Sequence, residues 1–443
     1  MGGGTRAWAR GTMFSATVLA AVVLASAVVG RPAATAAASP PVAAPDPCGP
    51  AWTTGWQASP QAVVPPARLA GRTLRMIVRP QVGGAQVRVR LSNRFGRAPL
   101  PIGRVTLARA GAGPALVPGT VRAVTFGAVP AGASADPVLP PGADVVSDPV
   151  PVAAEAGRPL AVSLVLPQAP AVVAEHPVAL QTSYLSAPGD ATLDAGGGAF
   201  TTPVASWMVL TGVEVLAPHP VNAVVAMGDS LVDGVGSGND TDSRFTDALS
   251  ARLVRRGGTA TMAVLNAGIA RNELLAGRGP AGGDTPVERL GPEAVGLPGA
   301  TDVVLHVGTN DVAAGRGAAE IVAGLVRFAD TARAAGLRVH LTTITPSDRG
   351  VRGTSRGRAV RERVNRWVRE HGAEHADGVF DFAGAVADPA DPRRLRARYD
   401  AGDGLHLSAA GYRALAEAVD LTRLSGSPCL AGRSPARVAL AAR

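Results

Sequence analysis

Val221-Asn222-Ala223-Val224-Val225-Ala226-Met227-Gly228-Asp229-Ser230-Leu231 decides the fold of the second half of this chain. A short, nearly continuous apolar run that ends on Gly-Asp-Ser predicts a strand buried on both faces, followed by a tight turn. Working outward, Phe245, Leu249 and Leu253 recur at helical spacing, and Met262 to Leu265 is again apolar. Val303 to Val307 is a third such run, before a helical stripe of Ile321, Leu325 and Phe328. Leu337 to Thr343 reads as a strand, Val364, Trp367 and Val368 as one helical face, Val379-Phe380 as a last strand, and the chain from about Ala409 as a final helix. Strands alternating with helices predict a parallel sheet covered on both sides, an α/β fold over residues 221–430.

Upstream the period changes. Leu74, Met76 and Val78 alternate with Arg75 and Ile77, and after Gly83-Gly84 the apolar Val87, Val89 and Leu91 alternate with Arg88 and Arg90. Alternation around a Gly-Gly pair predicts a hairpin with the arginines on the wet face. Leu160 to Leu166 and Trp207 to Val215 repeat the pattern, and the Pro/Gly-rich stretch from Ala128 to Pro151 reads as irregular connections. Residues 51–216 are therefore expected to form an all-β sandwich domain, joined to the α/β domain through Ala217-Pro218-His219-Pro220.

Composition bounds the function classes. The chain has 443 residues, 47% of them hydrophobic, enough for two or three cored domains. Its net charge of +9 sets 43 basic residues, all arginine and spread without dense runs, against 34 acidic ones, and aromatics are only 4%. Neither a nucleic-acid surface nor a set of base-stacking platforms is indicated. Arg6 and Arg10 precede an uncharged run from Met13 to Val29 and then Ala33-Ala34-Thr35-Ala36-Ala37-Ala38-Ser39. Positive start, apolar middle and small residues at the cut read as a signal peptide over residues 1–38 of a secreted, extracellular protein. Residues 39–50 read as a linker and 431–443 as a tail, with no membrane span after cleavage. The two cysteines, Cys48 and Cys429, lack metal-ligand neighbours and are expected to pair as a disulfide in an oxidising compartment, the alternative being two unpaired thiols.

Every distinctive polar motif of the second half falls at a carboxyl end of a predicted strand, where open α/β sheets bind ligands. These are Gly228-Asp229-Ser230-Leu231, Asn266-Ala267-Gly268-Ile269, Gly308-Thr309-Asn310-Asp311 and Asp403-Gly404-Leu405-His406. The chemistry that needs this set is acyl transfer. A serine hydroxyl is a weak nucleophile until an imidazole takes its proton, and the imidazole needs a carboxylate to fix its tautomer. Ser230 is the expected nucleophile, His406 the base and Asp403 its orienter. The oxyanion would be held by the backbone N–H groups of Ser230 and Gly268 and the Asn310 amide. Asp229 reads as an N-cap, Asp311 as the stabiliser of its own turn, His306 and His340 as buried strand residues, His371 and His375 as solvated, and His176 and His219 as loop residues before prolines. No histidine pair has a metal spacing.

These four blocks resemble those of the SGNH (GDSL-type) esterase/lipase family over about residues 221 to 425. The resemblance implies Ser230, Gly268, Asn310 and His406 as the namesake residues, Asp403 as third triad member, a flavodoxin-like three-layer α/β/α fold, and no metal or organic cofactor. An exported β-rich domain ahead of the hydrolase domain is similar to the layout of actinobacterial secreted members. The sequence departs at Ala270-Arg271, where many relatives carry a further small residue or glycine. The α/β-hydrolase elbow Gly-x-Ser-x-Gly fits worse because position 232 is valine, and Gly234-x-Gly236-x-Gly238 lacks the Lys-Ser/Thr of a phosphate loop. The expected activity is hydrolysis of carboxylic esters, with an acetylated polysaccharide or lipid as candidate substrate, by a monomer. The rival expectation is a non-catalytic secreted carbohydrate-binding protein.

Overall fold

The structure, a computed structural model, describes residues 46–127 and 136–432; the expected signal peptide, most of the expected linker and nearly all of the expected tail lie outside the described residues. From Asp46 onward the chain forms one compact unit.

Its second half holds five parallel strands, β1 (Ala223–Gly228), β2 (Ala263–Gly268), β3 (Ala300–His306), β4 (Arg338–Thr342) and β5 (Gly378–Phe380), in the spatial order 2-1-3-4-5. That is the flavodoxin-like doubly wound order, which places a ligand crevice at the β1/β3 switch point. Successive residues of β1 serve opposite cores, which is why the run is apolar without alternation. Val225 and Met227 pack with Ile321, Leu325 and Phe328 of helix Ala318–Ala334 and Val360, Val364 and Val368 of helix Ser355–His375. Val224 and Ala226 pack with Phe245, Leu249 and Leu253 of helix Phe245–Arg256 and with Tyr412 and Leu415 of helix Ala409–Ala418. The result is three layers, α/β/α.

Residues 51–217 form antiparallel sheets around a main core, with a smaller cluster of Ile77, Ala108, Leu116 and Ala161 beside it. A four-stranded sheet runs Ala51–Gln57, Leu210–Ala217, Val87–Ser92, Asp144–Val146; a six-stranded sheet contains Ser183–Pro188, Arg72–Val78, Leu160–Leu166 and Val105–Arg109 as consecutive neighbours. The expected hairpin around Gly83-Gly84 is not formed. Arg72–Val78 pairs with Leu160–Leu166 and Ser183–Pro188, whereas Val87–Ser92 pairs with Leu210–Ala217 and Asp144–Val146. Alternation identifies which face a residue occupies but not which strand lies beside it. Arg75 also departs from expectation: it is fully buried, its guanidinium donating to Ser163 Oγ and to the carbonyls of Pro114, Asp194 and Ala191 and lying 4.0 Å over the Phe200 ring. Arg88 and Arg90 do lie toward the outer face, both paired with the buried carboxylate of Glu214.

The antiparallel part packs against β2, the edge strand of the parallel sheet. Gln81 Oε1 accepts the Val264 N–H at 2.9 Å, Thr53 Oγ1 donates to Val221 O at 2.9 Å, and the Thr54 N–H donates to Pro298 O at 2.8 Å. Such cover blunts an otherwise open sheet edge. Cys48 and Cys429 are joined by a disulfide spanning 381 positions.

Candidate active site

β1 ends at Gly228, and Asp229 caps the following turn of helix, α1 (Ser230–Asp233), by accepting the Leu231 N–H at 2.9 Å. Ser230 thus occupies the first helical position, where a backbone N–H has no intrahelical acceptor. Its Oγ lies 2.9 Å from His406 Nε2, although the two residues are 176 positions apart. His406 Nδ1 donates to Asp403 Oδ2 at 2.7 Å. The three-residue spacing folds back because Asp403 Oδ1 accepts the N–H groups of Leu405 at 3.0 Å and His406 at 2.8 Å. Asp400 Oδ1 supports the loop by accepting from Gly402, Asp403 and Gly404. Partial burial raises the Asp403 pKa, but these bonds and the imidazole outweigh it and bring the group down to about 2. Arg349 also pairs with Asp403. Gly236, at φ 96, lets the chain after α1 pass against this loop; a Cβ there would stand 2.7 Å from Leu407 O.

Asn310 follows β3 in the short helix Thr309–Ala313. Its Oδ1 accepts from Arg352 at 2.6 Å and its Nδ2 donates to Asn272 O at 2.9 Å, which fixes the amide's orientation and leaves one Nδ2 hydrogen. Gly268 differs from expectation. Its N–H donates to Asn266 Oδ1 at 2.9 Å and is therefore engaged within its own strand. What requires glycine there is packing, since a Cβ would stand 2.1 Å from the Asp233 nitrogen of α1. The next turn, Ile269 to Asn272, is closed by the Asn272 N–H on Ile269 O at 3.0 Å and carries Arg271 at φ 68. This left-handed conformation suits glycine and strains other residues. Arg271 makes no hydrogen bond to the described residues, and its neighbour Ala270 is bonded to Asp233 of α1, so its N–H is a spare amide in the turn held against α1.

Several supporting residues were not anticipated. Arg289 is buried and donates to Gly228 O, Ala267 O, Asn272 Oδ1, Ser59 Oγ and Glu293 Oε2, tying the ends of β1 and β2 to the Asn272 turn. Its only sequence signal was Glu293 four positions later in a Pro/Gly-rich stretch. Asp311 reaches beyond its own turn: it accepts the N–H groups of Leu274 at 2.9 Å and Leu275 at 3.0 Å. Asp229 is buried, its Oδ2 has no hydrogen-bond partner among the described residues, and burial lifts its pKa to about 7. His306 donates from Nδ1 to Thr342 Oγ1, and burial lowers its pKa to about 4, so it is neutral. His340 is buried against Asp302, as a strand histidine should be, and His371 lies exposed beside Glu374. His219 sits in a loop on Cys48 O, but His176 is a buried strand residue rather than a loop one. Among the described residues no group of three His, Cys, Asp or Glu side chains is arranged to hold a metal ion.

Residues 226–414 match the model of the GDSL-like lipase/acylhydrolase family. The chain carries a GDSL-like lipase/acylhydrolase domain. As a GDSL-type hydrolase it is a carboxylic ester hydrolase. Among solved structures, this GDSL hydrolase is similar to Est24, a carbohydrate acetylesterase from Sinorhizobium meliloti, at 17% identity over 44% of this chain and 95% of that one, with a TM-score of 0.36. It is also similar to a member of the lipolytic G-D-S-L family from Veillonella parvula, at 21% identity over 45% and 96% with a TM-score of 0.34. A lipase/acylhydrolase from Enterococcus faecalis is 22% identical over 45% and 93%, with a TM-score of 0.35. No curated protein matches the chain.

Proposed function

We propose that this GDSL hydrolase cleaves esters through an acyl-enzyme on Ser230. The observation that carries the reading is the unbroken chain from Ser230 Oγ to His406 Nε2, 2.9 Å, and from His406 Nδ1 to Asp403 Oδ2, 2.7 Å. Ser230 Oγ attacks the ester carbonyl carbon as its proton passes to His406 Nε2, and the carbonyl π electrons move onto oxygen. Collapse of the tetrahedral species expels the alcohol, which takes that proton. Water then repeats the sequence and releases the acid. Asp403 stays ionised and holds the imidazole in the tautomer that bears its proton on Nδ1. The oxyanion is held by the Ser230 N–H, the free Asn310 Nδ2 hydrogen and the Arg271 N–H, the last in place of Gly268.

Ser230→Ala is expected to abolish turnover of a short p-nitrophenyl ester and labelling by a serine-directed phosphonate, with the circular dichroism spectrum unchanged. Undiminished turnover would refute the assignment. We further propose that residues 51–216 are a β-sandwich domain, that the enzyme is secreted and monomeric, and that it acts on acyl esters of carbohydrates or lipids. The disulfide is what an oxidising compartment favours, and turnover across acyl lengths and acetylated polysaccharides tests the substrate class.

A further inference from the structure

We infer that His176, contributed by the antiparallel part, is a positioning residue of the esterase site, acting as a buried imidazolium that fixes the turn beside Ser230. The inference rests on the esterase reading above and gives the antiparallel part a role in it.

Both ring nitrogens of His176 face acceptors. Nδ1 lies 2.8 Å from Ser59 O, and Nε2 lies 3.1 Å from Val178 O and 3.2 Å from Asp233 Oδ1. A carbonyl oxygen cannot donate, so a neutral ring would set a lone pair against Ser59 O or Val178 O. Only the imidazolium donates from both nitrogens. The ring is 6% exposed, packed 5.5 Å from the Trp207 ring, and the charge it carries is answered by Asp233 at the end of α1. Burial lowers its pKa, but Asp233 and the two carbonyls more than offset that and leave it raised.

Asp233 passes the constraint on. Its Oδ1 meets His176 and its Oδ2 accepts the Ala270 N–H at 3.2 Å. Ala270 immediately precedes Arg271, whose spare amide lies in the turn held against the nucleophile's helix. One carboxylate thus connects three things: the last turn residue of the helix that begins at Ser230, the strained turn, and a side chain from another sheet. Ser59 doubles the brace, because its carbonyl holds His176 while its hydroxyl donates to Glu293 Oε2 at 2.6 Å and accepts from Arg289, which holds Asn272 at the far end of the same turn.

Of the other charged groups near the ring, Glu175 on the same strand is bonded to Ser206 and also interacts electrostatically with His176, which favours the same imidazolium. Around the adjoining cavity Arg79 pairs with Asp242 and Arg244 with Asp247. Tyr412, which interacts electrostatically with Asp233, donates its hydroxyl to Val235 O at 2.6 Å. Among the described residues Asp233 is the carboxylate hydrogen-bonded to the imidazole, so loss of the His176 proton weakens the bond that braces the end of α1.

Three measurements test this on the full-length protein. In the wild type, nitrogen-labelled histidine NMR at neutral pH is expected to show a buried ring protonated on both nitrogens, absent from His176→Gln; a neutral ring would overturn the inference without touching the esterase reading. With a p-nitrophenyl ester, His176→Gln and Asp233→Asn are expected to lower kcat by about tenfold with KM nearly unchanged, less than the loss on deleting a direct oxyanion donor. The wild-type rate is expected to fall again at alkaline pH as His176 deprotonates, and that limb to vanish in His176→Gln. Wild-type kcat and an unaltered alkaline limb in His176→Gln would overturn the inference. Phosphonate labelling of the wild type separates these outcomes from a failure of the esterase reading, since without Ser230 labelling that reading fails first.

Discussion

Asp229 is the least comfortable residue beside the nucleophile. Its folded pKa of about 7 stands above the ordinary 3.8 because burial penalises the carboxylate and Oδ2 finds no donor among the described residues. Between those values the unfolded chain ionises while the folded chain keeps its proton, so the group lowers stability as pH rises through the interval. An asparagine at this position would keep the acceptor for the Leu231 N–H without the charge. Asp229→Asn is therefore expected to raise Tm at about pH 8 and to leave it nearly unchanged at about pH 4; equal shifts at both would show that the carboxyl is not the source. Asn310 is a second residue with a distinct signature. Its spare Nδ2 hydrogen has most to gain when the carbonyl oxygen becomes an anion, so Asn310→Ala is expected to lower kcat by on the order of 10²–10³ with little change in KM. A rise confined to KM would place Asn310 in ground-state binding instead.

At the scale of the element, the ends of β1 and β2 converge on Arg289, whose guanidinium answers two strand carbonyls, Asn272 and the buried Glu293. Removing one partner of a buried pair strands the other, at roughly 3–5 kcal/mol. Arg289→Met is expected to cost that much in urea unfolding, and less in an Arg289→Met/Glu293→Leu double variant, although Arg94 also touches Glu293. A loss below about 1 kcal/mol would mean the network is dispensable. Apart from the Arg289–Glu293 spacing, none of this was legible in the sequence, and the reason is physical. The β1 run, the helical stripes and the polar motifs at strand ends are local patterns whose period or turn chemistry betrays them. Arg289, Arg75 and His176 are buried by partners far along the chain, and polarity alone places such residues outside. The misread pairing of Arg72–Val78 with Val87–Ser92 has the same origin, because alternation is a property of one strand and pairing a property of two. Gly268 was assigned a donor's role from its motif; its backbone N–H turned out to be engaged by a side chain two residues earlier.

For the whole molecule, the disulfide and the cover over β2 make one argument about separability. A loop this long is credited with about 5 kcal/mol by chain entropy, an upper figure. Cys48→Ser or mild reductant is expected to lower Tm by several degrees while leaving p-nitrophenyl ester turnover at room temperature unchanged, because Cys48 and Cys429 touch none of the site residues named above. Loss of turnover at temperatures where the reduced protein is still folded would show the bond reaches the site. The bond also imposes a chronology. Cys48 is made early and its partner 381 positions later, so the covalent ring cannot close until nearly every strand and helix has been synthesised. Throughout that wait the growing chain depends on noncovalent contacts alone, and oxidation acts as a final latch on an assembly already in register rather than as a scaffold that builds it.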